Sequence, residues 1–223
     1  MNVLLFGATG MVGQGVLREC LAAPDVALVQ TVGRTATGAA SPRVRELVRG
    51  DLFDYRDVEA RLSGFDACFF CLGVSAAGKS EAEYSRLTHD LALAAGRTLA
   101  RLNPGMTFVY VSGQGTDASE RGRIMWARVK GRTENALRAL PFRAVYLFRP
   151  GVIQPMHGAR SRTPLYRVPY MLLKPFLPLM RWLAPNRVLT TEVVGRAMLA
   201  AARRGGPTMV AEIADINALG TAG

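Results

Sequence analysis

Cysteine is scarce in this 223-residue chain, which carries three: Cys20, Cys68 and Cys71. An odd number argues against a disulfide framework, and no signal peptide precedes the first strand-like run, so reduced thiols and a cytoplasmic location are expected over secretion. Cys68 and Cys71 form a CxxC, yet no second ligand pair follows, and no metal site is expected. The run from Ala67 to Leu72 reads as a buried strand whose residues three apart face opposite ways. Two small core residues are therefore the better reading of this pair. Long apolar runs are also missing: none reaches the roughly 18 uncharged residues needed to span a bilayer. There is no internal repeat, no low-complexity tract and no GxSxG elbow, which removes the usual serine-hydrolase signature. Acidic residues are in short supply, 17 against 28 lysines and arginines, for a formal charge of +11. Such a surface attracts phosphate-bearing ligands, nucleic acid or anionic membranes. The arginines are spread along the chain and no nucleic-acid motif accompanies them, which argues against DNA or RNA.

What the chain does have is alternation. Short apolar runs at Val3–Phe6, Ala27–Val32, Val44–Val48, Ala67–Leu72, Thr107–Ser112 and Arg143–Phe148 are predicted strands. Helical stretches separate most of them, at 11–21, 80–102 and 124–140. This order predicts an α/β fold: one domain over 1–223, a doubly wound parallel sheet of Rossmann type with helices on both faces. After Arg149 the pattern changes. Residues 150–189 are crowded with proline and aromatics, show no clear strand, and read as a small C-terminal substrate or lid region. Within it Val168–Leu183 holds Lys174, Arg181 and three prolines. It suits a pocket lid, a subunit contact or a peripheral membrane contact. A helix from Thr190 or Thr191 through Arg204 and a last strand, Met209–Ile213, complete the expected order.

The sharpest motif is Gly7-Ala8-Thr9-Gly10-Met11-Val12-Gly13, directly after the first strand and opening the first helix. Glycines at this spacing permit a tight turn, let backbone N–H groups approach a pyrophosphate, and allow close helix–strand packing. The helix dipole adds a favourable field for an anion. In this context the motif predicts a dinucleotide site. The second strand runs out into Val32-Gly33-Arg34-Thr35, where an NAD site usually places an acid for the ribose 2′-hydroxyl. Arg34 instead offers a guanidinium fork for a 2′-phosphate, with Thr35 beside it and Arg43 from the following loop. NADP(H) is thus expected over NAD(H).

On these residues the chain resembles the atypical branch of the short-chain dehydrogenase/reductase superfamily, the small NAD(P)-dependent epimerase/dehydratase-like proteins, over nearly its whole length. The resemblance implies an oxidoreductase or epimerase-like activity on a small-molecule substrate. It implies that Asp51-Leu52 contact the adenine, that Cys71-Leu72-Gly73 line the adenosine ribose, and that Pro150-Gly151-Val152 lie beside the nicotinamide. It also implies a homodimer through the helices flanking the fourth and fifth strands. The family's catalytic residues are a serine, here Ser112, and Tyr-xxx-Lys, here Trp126-Ala127-Arg128-Val129-Lys130. The lysine is kept and the tyrosine is not. Tryptophan has an N–H that only donates and no proton that titrates near neutral pH, so it cannot serve as a general acid or base. Three readings follow. Tyr84, His89, His157 or Tyr166 supplies the proton; or the substrate, such as a quinone, takes it from water; or the chain binds NADP(H) without turnover, as a regulator.

Overall fold

The computed structural model describes residues 1–159 and 188–222. Its strands are β1 (Asn2–Phe6), β2 (Leu28–Gly33), β3 (Val44–Val48), β4 (Ala67–Phe70), β5 (Thr107–Val111), β6 (Ala144–Phe148), β7 (Val152–Gln154), β8 (Val188–Thr190) and β9 (Val210–Ala211). Its α-helices are α1 (Met11–Ala22), α2 (Glu81–Ser85), α3 (Leu91–Leu102), α4 (Met125–Arg138), α5 (Thr191–Arg204) and α6 (Ile213–Thr221). Seven strands form one parallel sheet in the order β3-β2-β1-β4-β5-β6-β9, and β7 and β8 pair in parallel apart from it. The order reverses direction between β1 and β4, which opens a crevice at the carboxyl ends of these strands, where ligands bind in such sheets.

The near-continuous apolar runs are explained by burial on both faces. Val3 and Leu5 of β1, Phe69 of β4, Val109 of β5 and Phe148 of β6 pack beneath α1 and α5. Their neighbours Leu4, Phe6, Cys68, Phe70, Phe108 and Leu147 pack on the other face with α3 and the end of α4. Aromatic rings cross that second face in a row, Phe6 to Phe70 at 5.2 Å and Phe70 to Phe108 at 5.9 Å between centroids. Cys68 faces one layer and Cys71 packs toward the other, as the strand reading of the CxxC requires. Burial pushes the Cys20 thiol up to about 12 and those of Cys68 and Cys71 well above the ordinary range, so none is poised as a thiolate.

Three expectations need correction. The helix over 80–102 is interrupted by a π-helical turn at Arg86–Asp90, in the stretch where α4 packs against it. The strand expected over Met209–Ile213 lasts only from Val210 to Ala211. Glu212 and Asp215 then form a capping box that starts α6, satisfying helix N–H groups that a longer strand would leave for a neighbour. The Pro-rich region does contain strand: Val152–Gln154 pairs with Val188–Thr190, since each short segment finds its partner only in the folded chain. The segment Val168–Leu183 and Tyr166 lie outside the described residues. Among the described residues no helix is long and apolar enough to cross a membrane.

Candidate active site

The glycine turn is built by contacts that admit no side chain. Gly7 has φ +78°, and a Cβ there would sit 2.8 Å from the Cys71 carbonyl carbon and the Leu72 nitrogen. A Cβ on Gly13 would sit 2.1 Å from the Gly7 carbonyl oxygen. The Gly10 N–H donates to Gly7 O at 2.9 Å, which closes the turn and starts α1 with no side-chain cap and no acid in its first turn. The N–H groups of Met11 and Val12 have no intrahelical acceptor, as at every helix start. This is a cradle for an anion, shaped by backbone alone, and it fits a pyrophosphate.

A groove of about 70 Å³ leads from Gly7, Ala8 and Thr9 past Leu72 to Val32, Arg34 and Thr35. Arg34 and Thr35 are exposed, and Arg34 makes no hydrogen bond or ion pair with any described residue. Arg43 is a correction. Its guanidinium donates to the carbonyl oxygens of Ala23 (3.0 Å), Val26 (2.9 Å) and Leu21, closing the C-terminal end of α1, the end opposite the glycine turn. Orphan carbonyls at a helix end outcompete a distant ligand for a loop arginine. Asp51 is exposed, with one carboxylate oxygen accepting from Phe53 N at 2.7 Å, and Leu52 is buried beside it. Arg49 escaped the sequence reading. Its N–H donates to Gly33 O at 3.0 Å, and its guanidinium pairs with Asp57 at 3.0 Å, over the Tyr55 ring. That tie brings the ends of β2 and β3 together.

A second cluster lies at the end of β5. Lys130, in the second turn of α4, donates to Val111 O at 3.2 Å and Ser112 O at 3.1 Å, with its ammonium 5.2 Å from the Tyr110 ring centroid. Burial holds Lys130 down at about 8, and the Glu134 carboxylate one turn on partly opposes that shift. Glu134 is 1% exposed and is clamped by Arg149, at 3.0 Å from Nε and 2.5 Å from Nη2. The pair joins α4 to the end of β6, and neither partner was singled out from the sequence. The i, i+4 spacing of Lys130 and Glu134 was the one available signal for half of it. Ser112 is buried and its Oγ lies 2.8 Å from Thr116 Oγ1. Trp126 is half-buried, its ring edge 3.6 Å from where a side chain on Gly115 would begin and 4.0 Å from the same point on Gly113. Its indole N–H makes no hydrogen bond with any described residue. A Cβ on Gly131 would sit 1.7 Å from Asp117 O, so the residue after Lys130 lets the loop after β5 lie on α4.

Ser112, Trp126 and Lys130 thus come together, and Pro150 joins them through its carbonyl, which accepts from Gln114 N at 2.9 Å. Gly151 packs against Gln114 and Ile213, and Val152 is exposed. The other candidate proton donors divide. His89 sits on the π turn, 2.8 Å from its neighbour Asp90, and His157 pairs with Glu192 at the start of α5. Tyr84 is buried near Tyr110, which Lys130 overlies.

The family model described as NAD(P)H-binding matches residues 7–143, from the glycine turn to the start of β6. Protein fmp52, mitochondrial, from Emericella nidulans is 32% identical over 159 residues, which cover 68% of this chain and 66% of that protein. Protein fmp52-1, mitochondrial, from Aspergillus terreus is 34% identical over 158 residues, with the same coverage. The chain therefore matches just under two thirds of the length of these relatives. Among solved structures, a UDP-glucuronic acid 4-epimerase from Bacillus cereus in complex with NAD superposes with a TM-score of 0.68 at 11% identity, covering 95% of this chain and 78% of that one. The likeness establishes the Rossmann-type fold. The expected cytoplasmic location is overturned by the two relatives, both named as mitochondrial proteins. Cysteine usage reports a reducing environment and does not separate one reducing compartment from another.

Proposed function

The chain belongs to the NAD(P)H-binding family, and from that premise we propose that it is an NADP(H)-dependent oxidoreductase whose proton is exchanged with water and not with residue 126. The observation that carries this reading is the meeting of Lys130 with the Ser112 carbonyl, at the carboxyl ends of the strands, the end of the sheet that also holds the glycine turn. Bound at that end, the dinucleotide supplies or accepts a hydride. The turn Gly7–Gly13, with the N–H groups of Met11 and Val12, would hold its pyrophosphate. Arg34 and Thr35 would hold a 2′-phosphate, and Arg34 is free of protein partners among the described residues. Asp51 and Leu52 are assigned to the adenine, Thr9 and Cys71-Leu72-Gly73 to the adenosine ribose and its phosphate, and Pro150-Gly151-Val152 to the nicotinamide side. Lys130 uses two hydrogens on β5 carbonyls and keeps a third for the nicotinamide ribose. Trp126 stacks on, or donates to, the substrate.

The test is a screen with NADPH against quinones and simple carbonyls, and with NADP⁺ against alcohols, for wild type and Lys130→Ala. Turnover that falls in the variant is expected. No turnover with any partner would refute the oxidoreductase reading. The replacement of tyrosine by Trp126 favours one second reading, a regulator that binds NADP(H) without turnover, and tight binding in an inactive protein is its signature.

A further inference from the structure

Thr116 carries one hydroxyl hydrogen, and its surroundings decide where that hydrogen goes. Its Oγ1 lies 2.7 Å from Gly113 O, an atom that can only accept. The same Oγ1 lies 2.8 Å from Ser112 Oγ. With the threonine hydrogen committed to the carbonyl, the serine must donate to the threonine. The opposite arrangement would leave two acceptors facing each other at 2.7 Å without a hydrogen between them. Both side chains are buried, Ser112 at 8% and Thr116 at 7% exposure, so bulk water does not readily substitute for either bond. The turn is closed a second time by Thr116 N, which donates to Gly113 O at 3.2 Å, with Gly115 at φ +84° inside it. The backbone of Ser112 is committed as well. Its N–H donates to Phe148 O at 2.7 Å, and its carbonyl accepts from Lys130.

We propose that Thr116 is a positioning residue that holds Ser112 as a hydrogen-bond acceptor, so that the seat on Ser112 favours the hydroxyl form of a substrate over its carbonyl form. This rests on the oxidoreductase reading for the word substrate, while the hydroxyl orientation does not depend on it. Only lone pairs of Ser112 Oγ remain for a ligand. A hydroxyl or N–H group is matched to that acceptor, since it brings the hydrogen that the contact with Ser112 needs. A carbonyl oxygen, which only accepts, meets the serine with no hydrogen between them.

Neutron diffraction from crystals exchanged into D₂O reads the hydroxyl directly, with and without NADP⁺. A deuteron on Ser112 Oγ aimed at Thr116 is expected, and a deuteron aimed at the substrate side overturns the proposal. Failure of NADP⁺ to bind would sink the oxidoreductase reading alone, because cofactor-free crystals still decide the orientation. In solution, Thr116→Val keeps the shape and frees the Ser112 hydrogen. NADPH-dependent reduction of 9,10-phenanthrenequinone, a carbonyl probe, should then gain about five- to tenfold in kcat/KM, the worth of one neutral hydrogen bond. Thr116→Ser, which keeps the hydroxyl, should return the wild-type rate. No gain in Thr116→Val, or the same gain in both variants, overturns the proposal.

Discussion

Replacing Arg34 with alanine separates the cofactor's 2′-phosphate from the rest of the molecule. The guanidinium stands at the exposed end of β2, beside the groove that begins at the glycine turn, and no described residue pairs with it. Its removal breaks no hydrogen bond or ion pair with a described residue, so folding stability should change by less than about 0.5 kcal/mol. Binding is a different matter. A charge-assisted hydrogen bond is worth about 1.5–3 kcal/mol, and solvent exposure argues for counting the bidentate contact once at that value. NADPH affinity should therefore fall about 10- to 150-fold, while NADH, which has no 2′-phosphate, should bind as before. Titration of NADPH and NADH fluorescence against both proteins, with a thermal melt of each, measures all three quantities. Equal losses for the two nucleotides, or no loss for NADPH, would refute Arg34 as the phosphate reader.

Gly13→Ala would place a methyl group 2.1 Å from Gly7 O, where the obstacle is backbone and cannot swing aside. Even after the gain of about 1 kcal/mol in helix propensity, a net loss of about 1–3 kcal/mol in stability is expected, together with loss of NADPH binding. Denaturant titration and nucleotide titration check it, and a variant that melts and binds like wild type refutes it. Lys130 supplies a pH test. The folded ammonium is held down at about 8 against 10.5 in the unfolded chain, so between these values the unfolded state binds more protons and this residue's contribution to stability rises with pH. The buried thiols and tyrosines, with raised values, push the opposite way at alkaline pH, so the quantity to follow is wild type minus Lys130→Met. That difference should climb from pH 8 to 10.5, and a flat difference counts against the buried ammonium. Trp126→Tyr restores a titratable hydroxyl beside Lys130. Carbonyl reduction with NADPH should rise by about 100-fold or more, the scale of general acid catalysis. No rise would mean that the missing proton donor does not limit the reaction.

Much of the fold was legible because it is written in local period. Runs such as Val3–Phe6 and Thr107–Val111 are buried on both faces, which only a central parallel strand explains, and the helices between them follow from length and capping. The glycine turn was legible for the same reason. Gly7 and Gly13 each answer a contact within a few residues or at the adjacent strand end, where a side chain meets backbone. Trp126 stands where the resemblance implies a tyrosine, a comparison of register along one helix start that needs no tertiary information. Local period also misled. Met209–Ile213 reads as strand, but the short strand stops at Ala211 and Glu212 begins a helix.

What the sequence left open lies across the chain. Arg43 reads as a phosphate ligand until the folded α1 presents its terminal carbonyls to the guanidinium. Glu134 and Arg149 stand apart in sequence and become a buried pair only when α4 lies against the end of β6. The orientation of the Ser112 hydroxyl depends on Thr116 curling back through Gly115 to reach both the serine and the Gly113 carbonyl. The sequence alone determined a Rossmann-type sheet and its glycine turn, because periodicity and steric exclusion act between neighbours. Tertiary structure decided which arginine is free to meet a ligand and which way a serine hydrogen points. Those depend on competition among acceptors that only folding brings within reach.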